Sequence, residues 1–289
     1  MLILALYPNL LNVSFSEISL NRVILTINFL NNILMNVIIR IMKNTKKRKV
    51  KIGNLIIVVV GVCLVVGIII MMIISKFTKT ETNEPHEYIA TVMIDAGHGG
   101  YDGGTIAVDG TAEKDLTLAY ALETGKQLEE LNPDIKVVYT RTSDKVSWPE
   151  DEAKDLRARV KMAKEKKADY YFSYHINSNQ DPSCSGYVSY IREDDKEGKK
   201  ITDYMSKNLS SLEWPYDRGT LTTESSPLHV VDSQKIPSIL FEVGFGTNPK
   251  EIKKIENKKI QKKISKAVAK ALNKHITKMN EKSEDDENK

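Results

Sequence analysis

Twenty consecutive uncharged, almost wholly apolar residues, Leu55 to Ile74, interrupt this chain of 289 residues. In a helix rising about 1.5 Å per residue, a run of that length crosses a hydrocarbon core of roughly 30 Å. A transmembrane anchor over 52–75 is therefore expected. Lys43, Lys46, Lys47, Arg48, Lys49 and Lys51 lie just before the run, and only Lys76 and Lys79 follow closely. This charge asymmetry places residues 1–51 in the cytoplasm and everything downstream on the extracytoplasmic side. A cleavable signal peptide would have a shorter apolar region and end in small residues of the Ala-x-Ala type. Ser75-Lys76-Phe77 offers no such site, so an uncleaved, single-pass anchor is expected.

Residues 1–41 mix Ile and Leu with many Asn and precede Met42-Lys43-Asn44-Thr45-Lys46-Lys47-Arg48-Lys49, which by itself has the form of a charged start to an anchored protein. Translation is expected to begin at Met42; the alternative is a second membrane-associated segment from Leu20 to Met42. Residues 76–87, charged and containing Pro85, are expected to be a linker, and 278–289 a disordered acidic tail. Cys63 lies in the apolar run and Cys184 is alone in the outer body, so neither an intradomain disulfide nor a cysteine zinc motif is available there. The body, 88–277, is long enough to bury its own core.

Apolar strand-like runs at 88–95, 135–140, 169–174, 186–191 and 236–243 alternate with helical patterns at about 113–131, 151–167, 198–212 and 249–276. Such alternation predicts one α/β domain, a mostly parallel or mixed central sheet flanked by helices. In the last helix Ile252, Ile255, Ile260, Ile264, Val268, Ala271 and Leu272 form one apolar stripe. No internal repeat suggests a solenoid or binding array.

Chemistry concentrates in Asp95-Ala96-Gly97-His98-Gly99-Gly100-Tyr101-Asp102-Gly103-Gly104, where a histidine stands among glycines directly after a strand-like run. Glycine-rich turns let the backbone take positive φ and approach a ligand. Active sites of α/β sheets gather beyond the carboxyl ends of strands. His98 and His175 both follow strands, Glu242 ends Ile236 to Phe241, and Glu113 opens a helix whose preceding loop can return it toward His98. Together these four residues look like a catalytic zinc site. A carboxylate within Ile239-Leu240-Phe241-Glu242-Val243 is costly to bury without a cation or metal, so a structural role for it requires a basic partner. Of the other histidines, His86 falls in the linker, His229 fits a core or rim position, and His275 is expected at the end of a lysine-rich helix, interacting with its dipole.

Residues 91–275 resemble the zinc-dependent N-acetylmuramoyl-L-alanine amidases of bacterial cell walls. The likeness runs through Ile94 to Gly100, Glu113-Lys114-Asp115-Leu116, Thr140-Arg141 with Asp144, Leu156 with Arg159, Ser173 to Asn177, and Phe241 to Phe245 with Asn248-Pro249. The resemblance implies that His98, Glu113 and His175 bind one zinc ion and that Glu242 is the catalytic carboxylate; Asn177, which closely follows one of these ligands, is expected to touch substrate. It implies cleavage of the amide between the lactyl group of N-acetylmuramic acid and L-alanine of the stem peptide. Peptidoglycan is then the partner, with no nucleic acid, and an activator protein is left open. A compact domain on an anchor, without wall-binding repeats, is similar to the amidases of spore cortex that prepare muramic-δ-lactam; vegetative wall turnover is the other role. Ala96 stands where many relatives have proline, and Gly246-Thr247 where an apolar-serine pair is more usual. Arg141 and Arg159 are expected to be structural.

Rival functions fare less well. Gly97-x-Gly99 begins a nucleotide-binding fingerprint, but the third glycine position holds Asp102. No Gly-x-Ser-x-Gly elbow of a serine hydrolase occurs. A catalytically silent, metal-free wall-binding or regulatory domain has no chemical need for all four site residues.

Overall fold

The computed structural model describes residues 86–212, 214 and 216–287, together with Val60, Gly61 and Ile68. The segment 1–51 with Met42, the rest of the expected anchor and most of the linker lie outside the described residues. Among the described residues, no helix is long and apolar enough to cross a membrane.

From His86 onward the described residues form one compact unit. Its elements are β1 (Ala90–Ala96), α1 (Glu113–Leu131), β2 (Ile135–Tyr139), α2 (Glu152–Glu165), β3 (Tyr170–Asn177), β4 (Tyr187–Ile191), α3 (Lys196–Ser210), β5 (Asp217–Thr222), α4 (His229–Asp232), β6 (Ser238–Phe245), α5 (Pro249–Ile255) and α6 (Lys258–Glu287). The six strands are ordered β2-β1-β3-β6-β4-β5. β2, β1, β3 and β6 run parallel, β4 is antiparallel to β6, and β5 runs parallel to β4. The sheet is thus mixed.

Period-two alternation in the strands feeds two cores. Phe172, Tyr174, Ile176, Ile239, Phe241 and Val243 pack with α1, α3 and α6, whereas Met93, Tyr171 and Leu240 pack with Ala163 of α2 and Val230 and Val231 of α4. Helix starts follow their side chains. Asp151 accepts from Lys154 N at the start of α2, and Asn248 accepts from Lys250 N and Glu251 N ahead of Pro249 at the start of α5.

Three expectations fail. β5 was not anticipated, because Asp-Arg-Gly-Thr-Leu-Thr has no apolar alternation; as an edge strand it is held by backbone pairing rather than by burial. The single helix expected over 249–276 breaks at Glu256-Asn257, where Asn257 Oδ1 accepts from Lys259 N and Ile260 N and starts α6 anew. α6 also continues through 278–287, part of the expected disordered tail. Lys and Glu are good helix formers, and propagation from an existing helix needs no new nucleus.

Candidate active site

β1 ends in a turn that needs left-handed backbone. His98 itself has φ 61°, followed by Gly99 at 127° and Gly100 at 60°. Cationic side chains fasten the carbonyls of this turn. Arg141 Nε and Arg159 Nη1 donate to Ala96 O at 3.0 and 2.9 Å, Arg141 Nη2 to Gly97 O at 2.9 Å, Arg159 Nη2 to His98 O at 2.8 Å, and Lys114 Nζ to Gly100 O at 2.9 Å. Both arginines have the structural role expected of them. Beneath them the fully buried Asp95 accepts from Arg159, Thr140 and Ser173 at 2.6–2.7 Å. Burial pushes its pKa up, but the Arg159 charge and these hydrogen bonds outweigh burial and hold the carboxyl below its usual range.

Glu113, the first residue of α1 and 4% exposed, is where the site converges. Its Oε1 lies 3.1 Å from both His98 Nε2 and His175 Nδ1 and accepts from Ile176 N at 2.9 Å; Oε2 accepts from Thr105 N at 2.9 Å. Burial raises its pKa, yet the two imidazoles dominate and keep it well below the carboxylate norm. For His98 burial acts downward, while Glu113 and Asp102 push the imidazole up to about 9. One ligating atom from each of His98, Glu113 and His175 falls within 4.8 Å of the others. Glycine makes this approach possible. A Cβ on Gly97 would stand 2.5 Å from His175 Nε2, and one on Gly104, at φ 66°, would stand 2.7 Å from His98 Cδ2.

Glu242 faces His175 directly across the β3–β6 pair. It is half-buried and forms no ion pair with a described residue; its Oε2 is sealed from solvent with no hydrogen-bond partner. Burial pushes its carboxyl up, the His175 charge pulls it down, Glu113 pushes up and His98 pulls down, for a net pKa of about 7. Among the described residues it has no basic partner of the kind a structural role requires. Asn177 ends β3, half-buried; its Oδ1 accepts from Ser178 N at 2.8 Å, which leaves its amide N–H groups free of that contact.

The other histidines stand apart. His86 is exposed, 3.3 Å from Asp134, and His229 is exposed at the start of α4, a rim residue. His275 departs from expectation. Because α6 runs on to Glu287 it is not at a helix end but 2% exposed, with Nε2 3.3 Å from Glu197 Oε2, and burial lowers its pKa. Asp102 was missed as a site residue. Its Oδ2 lies 2.7 Å from His98 Nδ1 while Oδ1 accepts from Gly104 N at 2.9 Å; the Asp-Gly-Gly turn was its one signal.

Residues 92–274 match the family model described as N-acetylmuramoyl-L-alanine amidase. The chain belongs to that family. The amidase is 31% identical over 215 residues to the germination-specific N-acetylmuramoyl-L-alanine amidase of Bacillus subtilis (strain 168), covering 68% of this chain and 85% of that protein. Its fold matches the catalytic domain of the amidase CwlV from Bacillus (Paenibacillus) polymyxa var. colistinus at a TM-score of 0.58, with 28% identity over 65% of this chain and 98% of that one. It likewise matches the CwlD amidase of Clostridioides difficile, solved in complex with the GerS lipoprotein, at a TM-score of 0.59 and 25% identity, again over 65% and 98%. The amidase acts on peptidoglycan, hydrolysing the amide between the lactyl group of N-acetylmuramic acid and L-alanine of the stem peptide.

Proposed function

We propose that this amidase is zinc-dependent, with His98, Glu113 and His175 holding one ion and Glu242 serving as the proton-moving carboxylate. The observation that carries the reading is the convergence of two imidazole nitrogens on one Glu113 oxygen, each at 3.1 Å from it, beside a sealed Glu242 oxygen with no partner among the described residues. Two nitrogens and one oxygen are a donor set that suits a hydrolytic zinc, leaving a position open. Zinc bound there supplies a Lewis acid for the amide carbonyl and lowers the pKa of water.

The chain's own residues do the rest. Asp102 holds His98 Nδ1, and Glu113 is fixed by two backbone N–H groups, so both ligands are oriented in advance. Glu242, with a pKa raised toward neutrality, accepts a proton from the attacking water and returns it to the departing alanine nitrogen. Asn177 offers its amide N–H groups to the substrate. Chelation of the full chain should stop stem-peptide release from purified peptidoglycan, and zinc should restore it. Full activity in the chelated protein would overturn the zinc reading.

The same proposal extends to setting. Residues 52–75 anchor the domain on the extracytoplasmic side, and the substrate is spore cortex, a role supported by the likeness to a germination-specific relative. Protease added to wall-stripped cells should digest the domain, and spores without the protein should lack muramic-δ-lactam; protection of the domain, or normal lactam, would refute the respective part.

A further inference from the structure

The unanticipated strand β5 brings a cation to the site end of the sheet. β4 is antiparallel to β6 and β5 runs with β4, so the first residues of β5 share an end with the last residues of β3 and β6. Val188 of β4 pairs with Glu242. Level with Val188 on β5 is an irregularity, Arg218-Gly219, between the register pairs Tyr187–Asp217 and Ser189–Thr220, with Gly219 at φ 85°. Neighbouring strands lie about 4.8 Å apart, so the backbone of Arg218 is roughly 10 Å from that of Glu242.

The guanidinium of Arg218 is held but not spent. Its Nε donates to Ser185 O at 2.9 Å, and its plane stands 5.0 Å from the ring of Phe245, three residues beyond Glu242 on β6, and 5.9 Å from that of Tyr216. Its two terminal nitrogens have no acceptor among the described residues, it forms no ion pair with any of them, and it is exposed. Arg141, Arg159 and Arg192, by contrast, are committed to backbone carbonyls and carboxylates. Arg218 and Glu242 also act on a common neighbour: besides burial, Glu242 raises and Arg218 lowers the pKa of Tyr190.

An arginine pinned through Nε and a ring face, with its terminal fork open, is preorganised for bidentate capture of a carboxylate. Of the two halves of the substrate only one offers such a group. The muramic carboxyl is consumed in the scissile amide, so the sugar side is neutral, whereas the residue after L-alanine in the stem peptide is acidic. At about 3.3–3.6 Å per extended residue, its carboxylate lies roughly 7 Å from the scissile nitrogen, within reach of the Arg218 side chain. We propose that Arg218 binds the carboxylate of the second stem-peptide residue, which makes the β4–β5 side of the cleft the side of the leaving peptide. The proposal rests on the amidase reaction with Glu242 at the reacting bond.

The test uses the detergent-solubilised, zinc-loaded full chain and two muramoyl tripeptides, one with the α-carboxylate of the second residue free and one with it as a primary amide. Wild type should lose about 10–100-fold in kcat/KM on amidation, the scale of a charged hydrogen-bond pair, mostly through KM. Arg218→Gln should lose a similar factor on the free acid and be indifferent to amidation, while Arg218→Lys should keep part of the discrimination. Equal losses on both substrates in Arg218→Gln, or wild type that hydrolyses both equally well, would overturn the proposal and leave the amidase reading intact. Failure of wild type to cleave either compound would overturn both.

Discussion

His98 Nδ1 lies 2.7 Å from Asp102 Oδ2, and this contact turns the other ring nitrogen, Nε2, toward Glu113. A carboxylate behind a ligating imidazole fixes its tautomer and raises its basicity. Asp102→Asn should therefore weaken zinc binding by about 10–100-fold, measured by competition with a chromophoric chelator, with little change in the melting temperature of the metal-free protein. Unchanged affinity would show that Asp102 does not orient the ring.

The two glutamates should separate cleanly. Glu242→Gln is expected to keep its zinc while hydrolysis falls by roughly 10²–10⁴-fold, the usual loss when a general acid–base is removed. Glu113→Gln should lose metal and activity together and regain part of both in excess zinc. If the zinc contents come out the other way round, the roles are reversed.

Glu242 also leaves a signature in stability. Its folded pKa of about 7 exceeds the unfolded carboxylate value, so the folded state binds the extra proton between those pH values, and stability falls as pH rises through that window. The metal-free wild type should lose on the order of 1–3 kcal/mol relative to Glu242→Gln between pH 5 and pH 7.5. Parallel pH profiles for the two proteins in thermal melts would contradict the raised pKa.

Arg159 joins the core to the site through Asp95 and His98 O. Arg159→Ala leaves Asp95 buried and uncompensated, and should cost about 3–5 kcal/mol in chemical denaturation. Adding Asp95→Asn should recover a measurable share; no recovery would mean that the loss comes from the His98 turn alone.

Local signals made some of this visible in the sequence and hid the rest. α1 falls over 113–131 as its helical pattern indicated, and β1, β3 and β6 begin within the apolar runs and continue one to three residues beyond them, because burial on a sheet leaves a record in side-chain type. β5 left none, since an edge strand of polar residues is specified by its partner's backbone, and Arg218 went unnoticed with it. Asp102 meets His98 only because left-handed residues fold the turn back on itself, a geometry that residue spacing does not encode. His275 was misplaced for a related reason: the end of the apolar stripe is not the end of the helix.

β6 is the last strand in the chain and yet lies in the interior of the sheet, between β3 and β4. Until Ser238–Phe245 arrives, β2-β1-β3 and β4-β5 are two ribbons with no shared edge, and His98, Glu113 and His175 have no Glu242 opposite them. A chain emerging from its N-terminus thus brings a carboxylate opposite His175 only once β6 has been made. On the roles proposed above, a copy cut short before β6 would keep the three metal-holding residues and lack the carboxylate that moves the proton.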